Sequence, residues 1–551
     1  MKLCRTGYAD VTLGTVSATD GIFYYSVPNT QAVAANYKIK VQAASGGTND
    51  TSDSFFSVAG VTSPAIAFDR PLICFGSLVN GTPTPPAHVE LYNTGSDALN
   101  WTANSSSTWL QVVPASGVGD ATLSVSVTPS GLAAGTYTGW ITVTDAGAIN
   151  SPQAVKVVLT VKTSGTNPFG YFDIPENNST GITGSIPVSG WALDDIEVTN
   201  LKIYRNSVTG EPSGLVFLGD GLFIEGSRPD VEAAYPTTPN ADRSGWGYNL
   251  LTNTMPNEGN GTFTLTAKAT DREGHTVTIG SKTITCDNAN ATAPFGTIDT
   301  PTPGETTSGN AYANWGWALT PLPSTIPTDG SSIWVYVDGT PLGHPLYNLY
   351  RQDVATTFPG LNNSNGAVGV FNFNTTGLSK GIHSICWSVT DDNAHTSGIG
   401  SRWFYISNSG APFSLSHFNQ DTSSSSGYLI PEDASQSLTV KTGFKKTEKT
   451  VGPSKNGDVS LEMNVNEPLV LIFPGEKGEK AFSRKPRMRI NDILRVMPAG
   501  SMMDARNGTF SWMPGPGFYG SYPLEFLQET GGRLLRHKVT VQVGWDKDKK
   551  E

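Results

Sequence analysis

The sequence predicts an all-β chain of tandem immunoglobulin-like β-sandwiches, arranged as beads on a string with a flexible linker before the last module. Three observations carry this expectation. The 551 residues exceed one hydrophobic core, because cores stop growing at about 250–300 residues. Only 15% of residues are charged while Gly (60) and Pro (36) are plentiful, and no long stretch repeats apolar residues at a helical period, which favours strands and turns. Short runs such as Leu201-Lys202-Ile203-Tyr204 and Ile333-Trp334-Val335-Tyr336-Val337 alternate apolar and polar residues between Gly/Asn/Asp/Pro turns, the pattern of a two-sheet sandwich. Apolar residues reach 37%, including 12 Trp, 18 Tyr and 23 Phe, enough to fill several thin cores and to exclude global disorder.

Taken in order, residues 1–60 hold Val27-Pro28, Tyr37-Lys38-Ile39-Lys40-Val41 and an Asp/Ser-rich run into Phe55-Phe56-Ser57-Val58. They resemble the C-terminal part of a cell-wall-type Ser/Thr-rich immunoglobulin-like domain, with too few strands for a full sandwich. Residues 61–163 carry Leu91-Tyr92-Asn93-Thr94-Gly95, Ala98-Leu99-Asn100-Trp101, Trp109-Leu110-Gln111-Val112-Val113-Pro114 and Gly135-Thr136-Tyr137-Thr138-Gly139-Trp140. This segment closely resembles the BACON-type immunoglobulin-like domain of secreted and surface proteins, some members of which are thought to bind carbohydrate or mucin. No ligand-contacting residue transfers from that resemblance.

Residues 164–290 and 291–408 are copies of each other. Pro168-Phe169-Gly170 with Asp173 returns as Pro294-Phe295-Gly296 with Asp299, and Gly190-Trp191-Ala192-Leu193 returns as Gly316-Trp317-Ala318-Leu319. Arg228 and Asp230 return as Arg351 and Asp353; Thr270-Asp271 with His275-Thr276 returns as Thr390-Asp391 with His395-Thr396. Four ordered blocks with small gaps establish the duplication. The pair resembles the Gly-Trp-Ala-Leu immunoglobulin-like repeats of secreted bacterial proteins, and Trp191 and Trp317 are expected between the sheets. Residues 409–455, with Ser423-Ser424-Ser425-Ser426 and a Lys/Thr-rich stretch, read as a solvated linker. Residues 456–545 hold Pro498-Ala499-Gly500, Gly508-Thr509-Phe510-Ser511-Trp512-Met513-Pro514 and Gly520-Ser521-Tyr522, and resemble a dystroglycan-type, putative-Ig cadherin-like domain.

The formal charge of −11 excludes a whole-chain nucleic-acid binder, which needs a concentrated basic surface. Lysines and arginines nevertheless concentrate toward the C-terminus, at Lys445, Lys446, Lys449, Arg484, Lys485, Arg487 and Arg489. No run of apolar residues is long enough to span a membrane, and the abrupt strand-like start, without an apolar signal region, leads us to expect a fragment of a longer secreted polypeptide. Cys4, Cys74, Cys286 and Cys386 fall one to a module without metal-type spacing, and are expected as core residues rather than disulfide halves.

No catalytic constellation emerges. The seven histidines are scattered, and a lipase-type elbow, a phosphate loop and a dinucleotide-binding glycine triplet are missing. His275 and His395, each following a Thr-Asp turn, are expected to brace that turn. The Arg228/Asp230 and Arg351/Asp353 pairs read as ion pairs pinning a loop, with a ligand-facing loop as the alternative. Asp194-Asp195 becomes Thr320-Pro321 in the second copy, which argues against a duplicated active site there. No cofactor is expected; calcium is the one candidate, because the loops at Asp271-Arg272-Glu273-Gly274 and Asp391-Asp392-Asn393 are acidic although short of a full calcium loop. The functional expectation is a non-catalytic extracellular or cell-surface stalk, adhesion or filament component, with glycans, envelope polymers or other copies of itself as partners. The alternative is a carbohydrate-binding accessory region of a larger secreted enzyme.

Overall fold

The computed structural model describes residues 1–6, 9–15, 34–44, 46–58, 63–95, 97–408, 416–419, 431–445, 447–475, 482, 485–490, 493–530 and 533–545. Strands make up 53% of the chain and helices 6%, so the molecule is all-β, and the strands among the described residues form nine sheets. The first sheet joins Lys2–Arg5, Val11–Thr12, Ala34–Gln42, Asn49–Thr51 and Phe56–Val58. The remaining eight pair face to face around four cores.

In the second unit a four-stranded and a five-stranded sheet enclose Leu91, Trp101, Val125, Val143 and Val157, with Leu72–Leu78 added parallel to Gln153–Lys162. The two copies then show one topology. Each has nine strands, and the first, third, seventh and sixth form one sheet while the second, ninth, eighth, fourth and fifth form the other. The register repeats too. Tyr171 pairs with Trp191 as Thr297 pairs with Trp317.

One expectation is corrected inside both copies. Ile186, Val188 and Ala192 of the strand Ser185–Leu193 fill the core, so alternation turns Trp191 to the outer face. There it lies against Phe169 and Tyr235, with ring centroids 5.9 and 5.4 Å away. Trp317 sits likewise on Phe295 and Phe358, at 6.1 and 5.3 Å. The tryptophans between the sheets are Trp246 and Trp387, and they come from different strands, Gly245–Leu251 and Gly381–Thr390. The glycine of Gly-Trp-Ala-Leu makes room for them: a Cβ on Gly190 would fall 2.7 Å from Trp246, and one on Gly316 would fall 3.0 Å from Trp387.

The final unit also departs from expectation. Leu438–Thr442 and Thr447–Val451 form a hairpin in one six-stranded sheet, and Pro431–Asp433 pairs with Arg533–Gly544 in the other. The segment expected as linker therefore supplies strands, and Leu438 and Val440 are buried in the core with Leu471, Phe510 and Val541. Lys and Thr at the alternate positions face outward and masked this alternation in the sequence. The serine run at 422–426 lies outside the described residues.

Nor is this unit a free bead. Its core is continuous with Ile174 and Ile224 of the first copy and with Ile382 and Trp403 of the second. The Trp403 indole donates to the Pro516 carbonyl at 3.0 Å, and the Tyr522 hydroxyl donates to the Ser227 carbonyl at 2.6 Å. Gly247 lets the Pro516-Gly517 turn approach so closely that a Cβ there would fall 2.0 Å from the Pro516 carbonyl carbon. Against the second unit, Arg487 pairs with Asp120 at 3.0 Å and covers the Tyr92 ring at 4.0 Å.

Candidate functional site

The recurring arginine loops are structural pins. A short helix, Pro229–Ala234, follows Arg228, whose Nε and Nη2 donate to the two carboxylate oxygens of Asp230 at 2.9 and 2.7 Å. The remaining Nη1 donates to Asp173. In the second copy Arg351 donates to Asp353 at 2.7 Å and to Asp299 at 2.5 Å. Both guanidinium groups are thus ion-paired with two carboxylates of their own copy. Sequence reading missed Asp173 and Asp299 as partners, although their recurrence at the copy spacing was the available signal.

His275 and His395 brace their turns. The backbone N–H of His275 donates to Asp271 Oδ1 and its Nδ1 meets Oδ2, both at 2.7 Å; for His395 and Asp391 the distances are 2.9 and 3.1 Å. The bond to Asp271 raises the pKa of His275. These histidines are thereby held as turn supports, on a different loop from the arginine pins.

A denser polar group lies where the second unit joins the first copy. Asp194 and Asp195 end the Gly-Trp-Ala-Leu strand, and Glu273 projects from the Asp271–His275 turn, so that one carboxylate oxygen from each lies within 4.8 Å of the others. Burial pushes Asp194 up to about 6 and also raises Glu273. For Asp195 burial acts upward and is the largest single influence, but the hydrogen bonds from Lys162 and the Thr166 backbone, with the lysine's charge, together hold the carboxyl below its ordinary value. The Lys162 ammonium sits 2.5 Å from Asp195 Oδ2. The sequence placed Asp194-Asp195 and the acidic turn separately; only the strand pairing brings them together.

Of the basic C-terminal residues, Arg487 is paired with Asp120 and Arg489 with Glu525, each at 3.0 Å; Lys446 and Arg484 lie outside the described residues. All four cysteines are free thiols, and Cys386 is buried against Met513 of the final unit, Sγ to Sδ 3.3 Å. Exposed aromatics lie on sheet faces: Trp140 is 44% and Trp315 40% exposed. No described helix is long and apolar enough to cross a membrane.

With the geometry in place, comparison with known proteins locates one unit. Residues 76–139 match the family model of the viral BACON domain. No curated protein matches the chain. Among solved structures, the chain is similar to the fibronectin(III)-like modules of Clostridium thermocellum CbhA, at 14% identity over 43% of this chain and 93% of that one, TM-score 0.14. It is similar also to the protocadherin gammaB4 extracellular domain, at 11% identity over 94% of this chain and 73% of that one, TM-score 0.15. A tetra-tandem repeat from the extending region of a large adhesion protein matches at 13% identity over 86% of this chain and all of that one, TM-score 0.15. The sheets, the duplicated strand order and the family match together define an immunoglobulin-like modular protein whose second unit is similar to the viral BACON domain.

Proposed function

We propose that the chain is a non-catalytic structural and adhesive component displayed outside cells, in which rigidly joined sandwiches hold a binding surface at a distance. The name of the matched family favours the surface of a virus particle as the setting. The observation that carries the reading is the docking of the final unit on both copies through Trp403, Ser227 and Gly247, which joins separate sandwiches into one body. Polar groups that could serve chemistry, the Arg228 and Arg351 loops and the two His–Asp turns, are spent on holding loops in place. Electron microscopy of the purified chain tests this. Particles of one fixed shape, single or assembled, are expected; a spread of inter-module angles would overturn the rigid-spacer reading.

A second reading, glycan binding, is favoured by the exposed Trp140 and Trp315, because sugar rings stack on solvent-facing aromatics. Retention on a glycan array that is lost in W140A or W315A would support it, and absence of any retention would remove it.

A further inference from the structure

The junction between the second unit and the first copy holds polar groups that its own protein partners do not satisfy. Asp194 is only 1% exposed. Its Oδ2 accepts the backbone N–H groups of Ile196 and Glu197 at 2.9 and 3.2 Å, while its enclosed Oδ1 has no hydrogen-bond partner. Glu273 Oε2 is enclosed and unpartnered as well. Asp195 is the third carboxylate, and among the described residues Lys162 is the ammonium bonded to the group. Arg272, beside Glu273 in sequence, is committed to Glu197. Three carboxyl groups face one lysine, and an enclosed carboxylate oxygen without a donor carries its full desolvation penalty.

The second copy shows that the fold itself does not demand these acids. Thr320 and Pro321 stand where the first copy has Asp194 and Asp195, and Asn393 stands where it has Glu273. There the groups satisfy one another: Thr320 Oγ1 donates to Asp391 at 3.0 Å, and Asn393 Nδ2 donates to Ser324 Oγ at 2.8 Å. The three acidic positions of the first copy thus carry no acid in the second, where Thr320 and Asn393 find hydrogen-bond partners within the copy.

We propose that Asp194, Asp195 and Glu273 bind a divalent cation, calcium, at this junction. The donors are all carboxylate oxygens, which suit a hard cation and disfavour zinc or copper. His275 Nδ1 is bonded to Asp271, and Asp271, Glu273 and His275 form a second group of ligand-type atoms on the same turn, sharing Glu273 with the first. The connecting segment closes over the group: Thr166 donates its backbone N–H to Asp195 at 3.3 Å, and a Cβ on Gly165 would sit 3.0 Å from the Glu273 carboxylate. A bound cation therefore ties the connection to the first copy and fixes the angle between two units.

The test uses the full chain stripped with a chelator and titrated with calcium chloride by calorimetry, alongside thermal denaturation. Saturable binding is expected, with the unfolding transition raised by about 3–6 °C at tenfold excess over Kd. E273Q lies on a partly exposed turn; it is expected to keep the metal-free transition and to lose at least about tenfold in affinity. E258Q, on a turn at the opposite end of the same sandwich, retains wild-type binding. The proposal is overturned if the wild type shows neither heat nor a shift up to about 10 mM calcium, if E273Q binds as the wild type does, or if magnesium alone saturates the site.

Discussion

At the residue scale, the two copies solve one packing problem in opposite ways. In the first, Trp246 on one sheet and Ala267 on the other share one core; in the second, the corresponding positions hold Gly369 and Trp387, and a Cβ on Gly369 would fall 3.1 Å from the Trp387 ring. Each slot takes one indole, from whichever sheet supplies it. Trp246→Ala should cost about 3–5 kcal/mol and Ala267→Trp alone about 1–3 kcal/mol by overpacking. Chemical denaturation of the combined W246A/A267W variant should show recovery of about half the summed loss, and additive losses would refute the shared slot. The arginine pins differ by burial. The Arg228 side chain is 5% exposed and Arg351 33%, so Arg228→Ala should cost about 3–5 kcal/mol and Arg351→Ala no more than about 1 kcal/mol. Among titrating groups, burial depresses His537 to about 4, and the ring is held neutral against Gln528 Oε1 at 2.8 Å. Its folded pKa lies below the unfolded value, so its contribution is complete above about pH 6.5 and is lost as pH falls toward 4, by about 3 kcal/mol in all. Urea titrations between those pH values should show this loss, and H537N should flatten it.

At the scale of elements, alternation was legible where one face meets solvent and ambiguous where both are covered. The strand Ser185–Leu193 is buried on both sides, so the sequence could not say whether the indole or the glycine of Gly-Trp-Ala-Leu faces the core. Duplication was readable because it rests on aligned residues and needs no knowledge of which way they point. The hairpin Leu438–Thr442 and Thr447–Val451 was hidden by its outward Lys and Thr, and by the serine run before it. Val440→Asp should therefore unfold the final unit, costing several kcal/mol by placing a charge in its core, whereas a true linker would tolerate it. Limited proteolysis of that variant reads the difference. The junction carboxylates were half legible: their acidity was plain in the sequence, but their meeting depends on a strand end and a turn 79 residues apart being paired in space.

Across the whole molecule, the number and order of sandwiches follow from composition and internal repetition, while their mutual fixation does not. The contacts that fix them run through backbone carbonyls, glycines, a Pro516-Gly517 turn and single apolar residues such as Ile224 and Ile382, which no local pattern distinguishes from the copies' own core positions. Gly247→Val should break this seat and uncover the apolar residues that the units share, and small-angle scattering should then report a larger radius of gyration. The seat also governs how the chain answers a pull. Because the final unit is clasped to both copies, tension applied across it loads those short polar and backbone contacts before any sandwich opens. Stretching a single molecule should give an early, low-force lengthening as the clasp lets go, followed by the taller peaks of domains unravelling one by one. A surface component built this way would yield a little under shear and reseat when the shear stops.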